Sequence, residues 1–230
     1  MKRQQPQISE DRILEVSWEL LGELGIEKFS MRRLAERMGI QAPSLYWYVK
    51  SKQHLYQRLA NQVSAIILTE FKPEGDWRKQ LGDLATTVRR ILTSYPCSTQ
   101  MMMLTLPHEP DMIRFTNRLL ECVEHTSLRA EQKLQAVTTL MNYVFYFVLD
   151  DYQHEQNITA MVNESGATEN REMSQLLNAL PERDSGLFKR TFEGGLFDLM
   201  GTEEAFEFGL RLILLGIEQI IHEEEQAPHT

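Results

Sequence analysis

The chain has 230 residues, of which 42% are apolar and 25% charged, with a formal net charge of −9. That length can bury a sizeable core in one or two domains, and the composition excludes a wholly disordered chain. No apolar run reaches the roughly 18 residues that span a bilayer, and the start "MKRQQPQISEDR" lacks the hydrophobic segment of a signal peptide, so a cytoplasmic protein with no membrane partner is expected. Cys97 and Cys122 are too few for a disulfide framework and fall in no CxxC spacing, so both are expected to be reduced and structural, with no metal or cofactor.

Helical periodicity runs along the whole chain. Ile13, Val16, Leu20, Leu21 and Leu24 recur at three- and four-residue spacing, with Ser9 placed to cap the helix and Gly25 to stop it. Ser30 can cap a short helix whose inner face is Leu34, Ala35 and Met38, and Gly39 then supplies a permissive turn. Pro43 suits the start of a second short helix, in which Leu45 and Val49 lie four apart and face inward. Helix, short helix, glycine turn, short helix is the pattern of a helix-turn-helix unit.

Tyr46, Trp47 and Tyr48 are consecutive, and on a helix neighbours diverge by about 100°, so the three rings cannot share one core. With Leu45 and Val49 inside, Tyr46 and Trp47 project from the opposite side, beside Ser44 and ahead of Lys50 and Lys52. Rings with a hydroxyl or an indole N–H pack on sugars and thymine methyls, while lysines neutralise phosphates. The plainer alternative is that these rings cover the helix that begins near Lys52. Charge counted by segment favours nucleic acid: residues 31–60 hold six cations against Glu36, a net +5, which leaves −14 for the rest.

The stretch 13–60, "ILEVSWELLGELGIEKFSMRRLAERMGIQAPSLYWYVKSKQHLYQRLA", resembles the DNA-binding domain of the TetR family of bacterial transcriptional regulators. Its "LYWYVKSK" is similar to the L-Y-W-H-V-K-x-K of the tetracycline repressor branch, with Tyr48 in place of a histidine. By this resemblance Arg32 reads a base, Gln41, Ala42, Pro43, Ser44, Tyr46, Trp47 and Tyr48 form the recognition turn and helix, and Lys52 binds a phosphate. Gln41 and Ala42 depart from that branch's acidic residue and glutamine, which implies a different operator.

The rest of the chain also reads as helices: 52–70, 77–94, a short one near 101–106, 111–125, 130–154 and a last one over 203–224. The polar segment that starts at Asn157, "NITAMVNESGATENREMSQLLNALPERDSG", reads as a loop or linker with a helical turn around Met173 to Leu180. The last helix has Phe206, Phe208, Leu210, Leu212, Ile213, Ile217 and Ile220 around more of its circumference than one core needs. Paired with the helix carrying Leu134, Val137, Leu140, Met141, Val144, Phe145 and Val148, it would form a four-helix bundle between two copies; the alternative is an ordinary monomer core. The fold class expected is all-α, with a three-helix helix-turn-helix domain (1–60) followed by a larger helical effector-binding and dimerisation domain (61–230).

Two patches are candidates for a small-molecule effector. Met101, Met102 and Met103 offer adaptable thioethers that, with Asn142, Tyr143, Phe145 and Tyr146, could line a pocket, or could simply fill core. Tetracycline repressors bind a magnesium chelate of the drug. By resemblance Thr105, Asp150, Asp151 and His154 match their segments, whereas Met102 and Asn142 each replace a histidine. A thioether is a poor magnesium ligand, so an apolar or aromatic molecule with one or two hydrogen-bonding groups suits these residues better. Asp150 and His154, four apart, either hold a divalent ion or form a solvated pair.

Catalysis is not expected, because GxSxG, HExxH, P-loop and GxGxxG patterns are missing from the sequence. The sequence thus predicts a homodimeric, DNA-binding transcriptional regulator, a repressor released from a palindromic double-stranded operator by a small-molecule effector. The competing class is a non-catalytic helical interaction protein whose basic face binds an acidic protein partner.

Overall fold

The computed structural model describes residues 8–165, 169–194 and 201–227, with side chains described except over 153–170 and at 172. Among the described residues the chain forms eleven helices and no strand: α1 (Glu10–Lys28), α2 (Met31–Arg37), α3 (Ala42–Leu45), α4 (Lys52–Glu70), α5 (Trp77–Ser94), α6 (Ser98–Leu104), α7 (Pro110–Cys122), α8 (Ala130–Ser165), α9 (Glu169–Ala179), α10 (Glu182–Glu193) and α11 (Glu203–Gln226). None of these is long and apolar enough to cross a membrane.

Hydroxyl and carboxylate caps start the helices. Ser9, Ser30 and Ser51 accept from the backbone N–H groups of Arg12, Arg33 and His54 at 3.2, 3.3 and 3.0 Å, and Asp76 and Thr202 do the same for α5 and α11. α1 breaks at Gly25, where φ is 71°, and adds a final turn beyond it. Between α2 and α3, Gly39 has φ 69°. The Gly39 N–H donates to Glu36 O at 3.1 Å and the Ile40 N–H to Ala35 O at 3.0 Å, a Schellman closure that needs a left-handed residue in the middle. This turn sets the angle at which α3 leaves α2.

Two apolar cores meet inside one helix. Ile13, Leu21, Leu34, Leu45, Leu55 and Leu59 belong to a core built by α1–α3 and the first half of α4, which ends at Ala60. From Val63 onward the same helix faces a second core, with Leu81, Leu84 and Val88 of α5, Leu140 and Val144 of α8, and Phe206 of α11. Buried Cys97 at the start of α6, Met101 of α6 and Met112 of α7 belong to the first core although their helices lie in the second unit. Both cysteines are buried and unbridged, and burial pushes the Cys122 thiol up to about 11.

Phe206 anchors α11. The Tyr143 hydroxyl donates to Phe206 O at 2.8 Å, and the Arg89 guanidinium lies 4.5 Å from the Phe206 ring centroid and 5.2 Å from that of Phe147. A Cβ at Gly209 would fall 2.4 Å from the Tyr143 oxygen, so glycine is what lets α8 and α11 approach here. α11 divides its apolar residues: Phe206, Leu210, Leu214, Ile217 and Ile221 are buried, while Phe208, Leu212, Leu215 and Ile220 are exposed. Ile213, Gly216 and Ile220 line an open groove of about 450 Å³ with Ala136 and Thr139 of α8.

The segment beginning at Asn157 differs from its expected loop. α8 continues to Ser165, and α9 and α10 follow. No proline interrupts it before Pro181, and polarity alone does not prevent a helix.

Gly39→Val should cost about 1–2 kcal/mol, because a Cβ there meets open space and the penalty is purely that of a left-handed backbone. Gly39→Asn should lose less, and urea titration of the two variants against the parent chain checks the order.

Candidate nucleic-acid interface and effector pocket

α3 is a single turn, shorter than its expected helix, and it is held from below. Leu45 and Val49 are buried, and the Tyr48 and Val49 N–H groups both donate to Leu45 O at 3.0 Å, which extends the turn through the aromatic run. That anchoring drives all three rings outward: Tyr46 is 48% exposed, Trp47 89% and Tyr48 44%. A fully presented tryptophan on a surface turn is unusual unless it meets a partner. Gln41, Pro43 and Lys50 are exposed on the same segment, while Ala42 and Ser44 are half-buried.

The cations around this turn separate into two groups. Arg32 is exposed on α2, its Nε donating to Glu36 at 3.0 Å across one helical turn, and Arg33 donates to Lys28 O at 3.0 Å. Lys52 donates from Nζ to Phe29 O at 2.9 Å and lies over the Phe29 and Tyr56 rings, which pins the start of α4 against the end of α1 and leaves its other two N–H donors uncommitted to that bond. Arg37 and Arg58 are committed to carboxylates, Arg37 on the surface and Arg58 partly buried. Arg37 pairs with Glu23, whose carboxyl is lowered chiefly by that hydrogen bond. Arg58 of α4 bridges Glu10 of α1 and Glu109 before α7. Burial works against the charge of Arg58, yet the two carboxylates outweigh it and raise its pKa. Counting residues 31–60 as one basic window therefore overstates the field at the surface, and the role of Arg58 between domains is invisible without its distant partners.

α6 and α7 grip α4 along its length. Gln53 donates to Leu104 O at 2.9 Å, and Ser64 lies 3.9 Å from the Met102 sulfur. The Asn61 side chain accepts from the Asp111 backbone N–H at 2.8 Å and donates to the Asp111 carboxylate at 3.2 Å, so a residue of α4 caps α7.

A pocket of about 190 Å³ opens beside this grip, between α6, α7 and α8. It gathers Met102, Thr105, Asn142 and Phe145 from the sequence candidates. α7 adds Met112, Phe115, Thr116 and Leu119, and α8 adds Leu134, Val137, Thr138 and Met141. The α7 residues recur at three- and four-residue spacing, a periodicity that marks an inner face but not which inner faces leave space. The other candidates lie elsewhere: Met101 is buried in the first core, Met103 and Tyr146 are exposed, Tyr143 turns to α11, and Asp150 is exposed beyond the pocket. The side chain of His154 lies outside the described residues. Among the described residues no group of three or more histidine, cysteine or acidic side chains is arranged to hold a metal.

Residues 13–59 match the family model described as bacterial regulatory proteins, tetR family, and residues 71–221 match the tetracyclin repressor-like C-terminal domain. The chain is 29% identical over 215 residues to the tetracycline repressor protein class C of Escherichia coli, covering 93% of this chain and 92% of that one. The structure of TetR from Acinetobacter baumannii AYE superposes with a TM-score of 0.64 at 27% identity, covering 93% of this chain and 98% of that one. ActR from Streptomyces coelicolor, solved in complex with actinorhodin, shares the fold at a TM-score of 0.71 and 20% identity, covering 93% and 98%. The two family models flank the latter half of the helix that joins the cores and together take in most of the chain, which belongs to the TetR family of bacterial regulatory proteins: it is a DNA-binding transcriptional regulator of a family whose members act as dimers under small-molecule control.

Proposed function

We propose that this chain is a repressor that reads a palindromic operator with α2, α3 and the turn after it, and that works in the cytoplasm by binding, without catalysis. The observation that carries the reading is the outward Trp47 between Tyr46 and Tyr48, held on a turn anchored by Leu45 and flanked by exposed cations. In this assignment Arg32 reaches a base edge, Gln41, Ala42, Pro43 and Ser44 meet the groove wall, the aromatic rings pack on sugars and thymine methyls, and Lys52 gives a donor to phosphate. The exposed apolar strip of α11 and the groove it forms with α8 support pairing of two copies, which would set two recognition turns one helical repeat apart, about 34 Å. Residues 1–60 and 61–230 are the two working units, joined through α4.

Control follows from where the pocket's methionines sit. Met112 lines the pocket and also belongs to the DNA-binding core, and Met102 lines it and packs against both cores. An effector that displaced either side chain would shift α6 and α7, and with them the Gln53, Arg58 and Asn61 contacts that orient α4. The effector acts only by binding the DNA-free arrangement better than the DNA-bound one.

Selection of the purified chain on a random duplex library should enrich an inverted repeat, and an unenriched pool would remove the operator-reading assignment. On that operator Arg32→Ala should lose about 1–3 kcal/mol and relax preference at one position, with stability nearly unchanged because its ion pair is exposed. Lys52→Ala should weaken all sequences alike, lower the salt slope by about one unit, and also lower stability through the lost Phe29 contact. Arg58→Met should lose about 1 kcal/mol of stability at low salt and less at high salt, read from urea titrations; equal stability in both would exclude the triad from tying α4 to α7.

A further inference from the structure

The chemistry of the pocket walls restricts the effector, and the restriction rests on reading that pocket as the effector site. None of the described lining residues is ionisable. Two of its hydroxyls are already committed: Thr105 donates to Met101 O at 2.7 Å and Thr116 to Met112 O at 3.0 Å. Thr138 and Asn142, four residues apart on α8, are exposed at its rim and make no hydrogen bond among the described residues. The remaining wall is thioether, aromatic and aliphatic, with Met102, Met112 and Met141 contributed by three different helices.

A charged ligand entering such a pocket would lose hydration with no counter-charge among the described lining residues to replace it. A magnesium chelate would bring a hard ion that prefers oxygen donors against soft sulfur. An aromatic ring, in contrast, gains contacts with sulfur, and methionine adapts to its outline. The volume of about 190 Å³ is below the roughly 300 Å³ at which pockets for drug-sized ligands begin. The Asn142 carboxamide presents both donor and acceptor, so it can pair a hydroxyl or a carbonyl. We infer that the pocket takes a neutral, metal-free aromatic molecule of about two fused rings, oriented by a single hydroxyl or carbonyl hydrogen-bonded to Asn142 and Thr138.

The test titrates the full chain, with methyl-labelled methionines, with 1-naphthol, naphthalene, 1-naphthoate and magnesium-loaded tetracycline, and measures affinity for the selected operator in parallel. 1-Naphthol should shift the methyl signals of Met102, Met112 and Met141 and bind at least about tenfold tighter than 1-naphthoate. Asn142→Ala, at an exposed position that does not threaten folding, should weaken 1-naphthol about tenfold and leave naphthalene unchanged, and Thr138→Val should act in the same direction. Absence of these methyl shifts with 1-naphthol, equal or tighter binding of 1-naphthoate or the magnesium chelate, or an unchanged preference for 1-naphthol over naphthalene in Asn142→Ala would overturn the assignment. Operator release by the magnesium chelate acting through these methionines would sink the ligand class and leave the effector reading intact. 1-Naphthol seated in the pocket with operator affinity unchanged would support the ligand chemistry and sink the effector reading.

Discussion

Everything in this molecule depends on α4 having to satisfy two cores at once. Up to Ala60 its apolar residues complete the DNA-binding unit, and from Val63 they complete the other unit. A helix cannot rotate one half without the other, because its hydrogen-bonded backbone transmits twist and translation along its axis. Interiors packed near crystalline density switch between arrangements rather than deform smoothly. A displacement at the second core therefore reaches the recognition turn as motion of a rigid lever.

The polar contacts along α4 refine this lever rather than create it. Exposed ion pairs contribute little, but the bridge from Glu10 through Arg58 to Glu109 links three helices and is partly shielded from solvent. The Asn61 cap on α7 adds direction, since a capping bond has a defined geometry and breaks when the two helices slide. Apolar packing holds α4, α6 and α7 together, and these bonds fix their register.

Much of this was legible in the residue pattern, for local reasons. Serine caps, Gly39 and the spacing of Leu45 to Val49 act over a few residues, so the helix-turn-helix could be read from them and the aromatic run had to face outward. The pocket was legible only in part. Met102, Thr105, Asn142 and Phe145 stood out by chemical type, but Met112 and Phe115 look like any inner face of a helix until α8 is placed opposite. Arg58 was misleading for a related reason: a cation among cations in sequence, it spends its charge on acids 48 and 51 residues away. The polar stretch after Asn157 shows the converse, where composition suggested loop and yet helix runs to Ser165, next to Gly166, and from Glu169 to Ala179, ahead of Pro181.

The double membership of Met102 and Met112 bears on how such a regulator diversifies. Under the proposed reading of the pocket, a wall residue that also seats the recognition unit is under two selections, and a change there would alter operator binding along with whatever is sensed. Leu134, Thr138 and Asn142, exposed on the opposite wall, are not members of the first core. On that reading, drift in the sensed compound should accumulate on α8, leaving the genes under control unchanged while the signal they answer to is replaced.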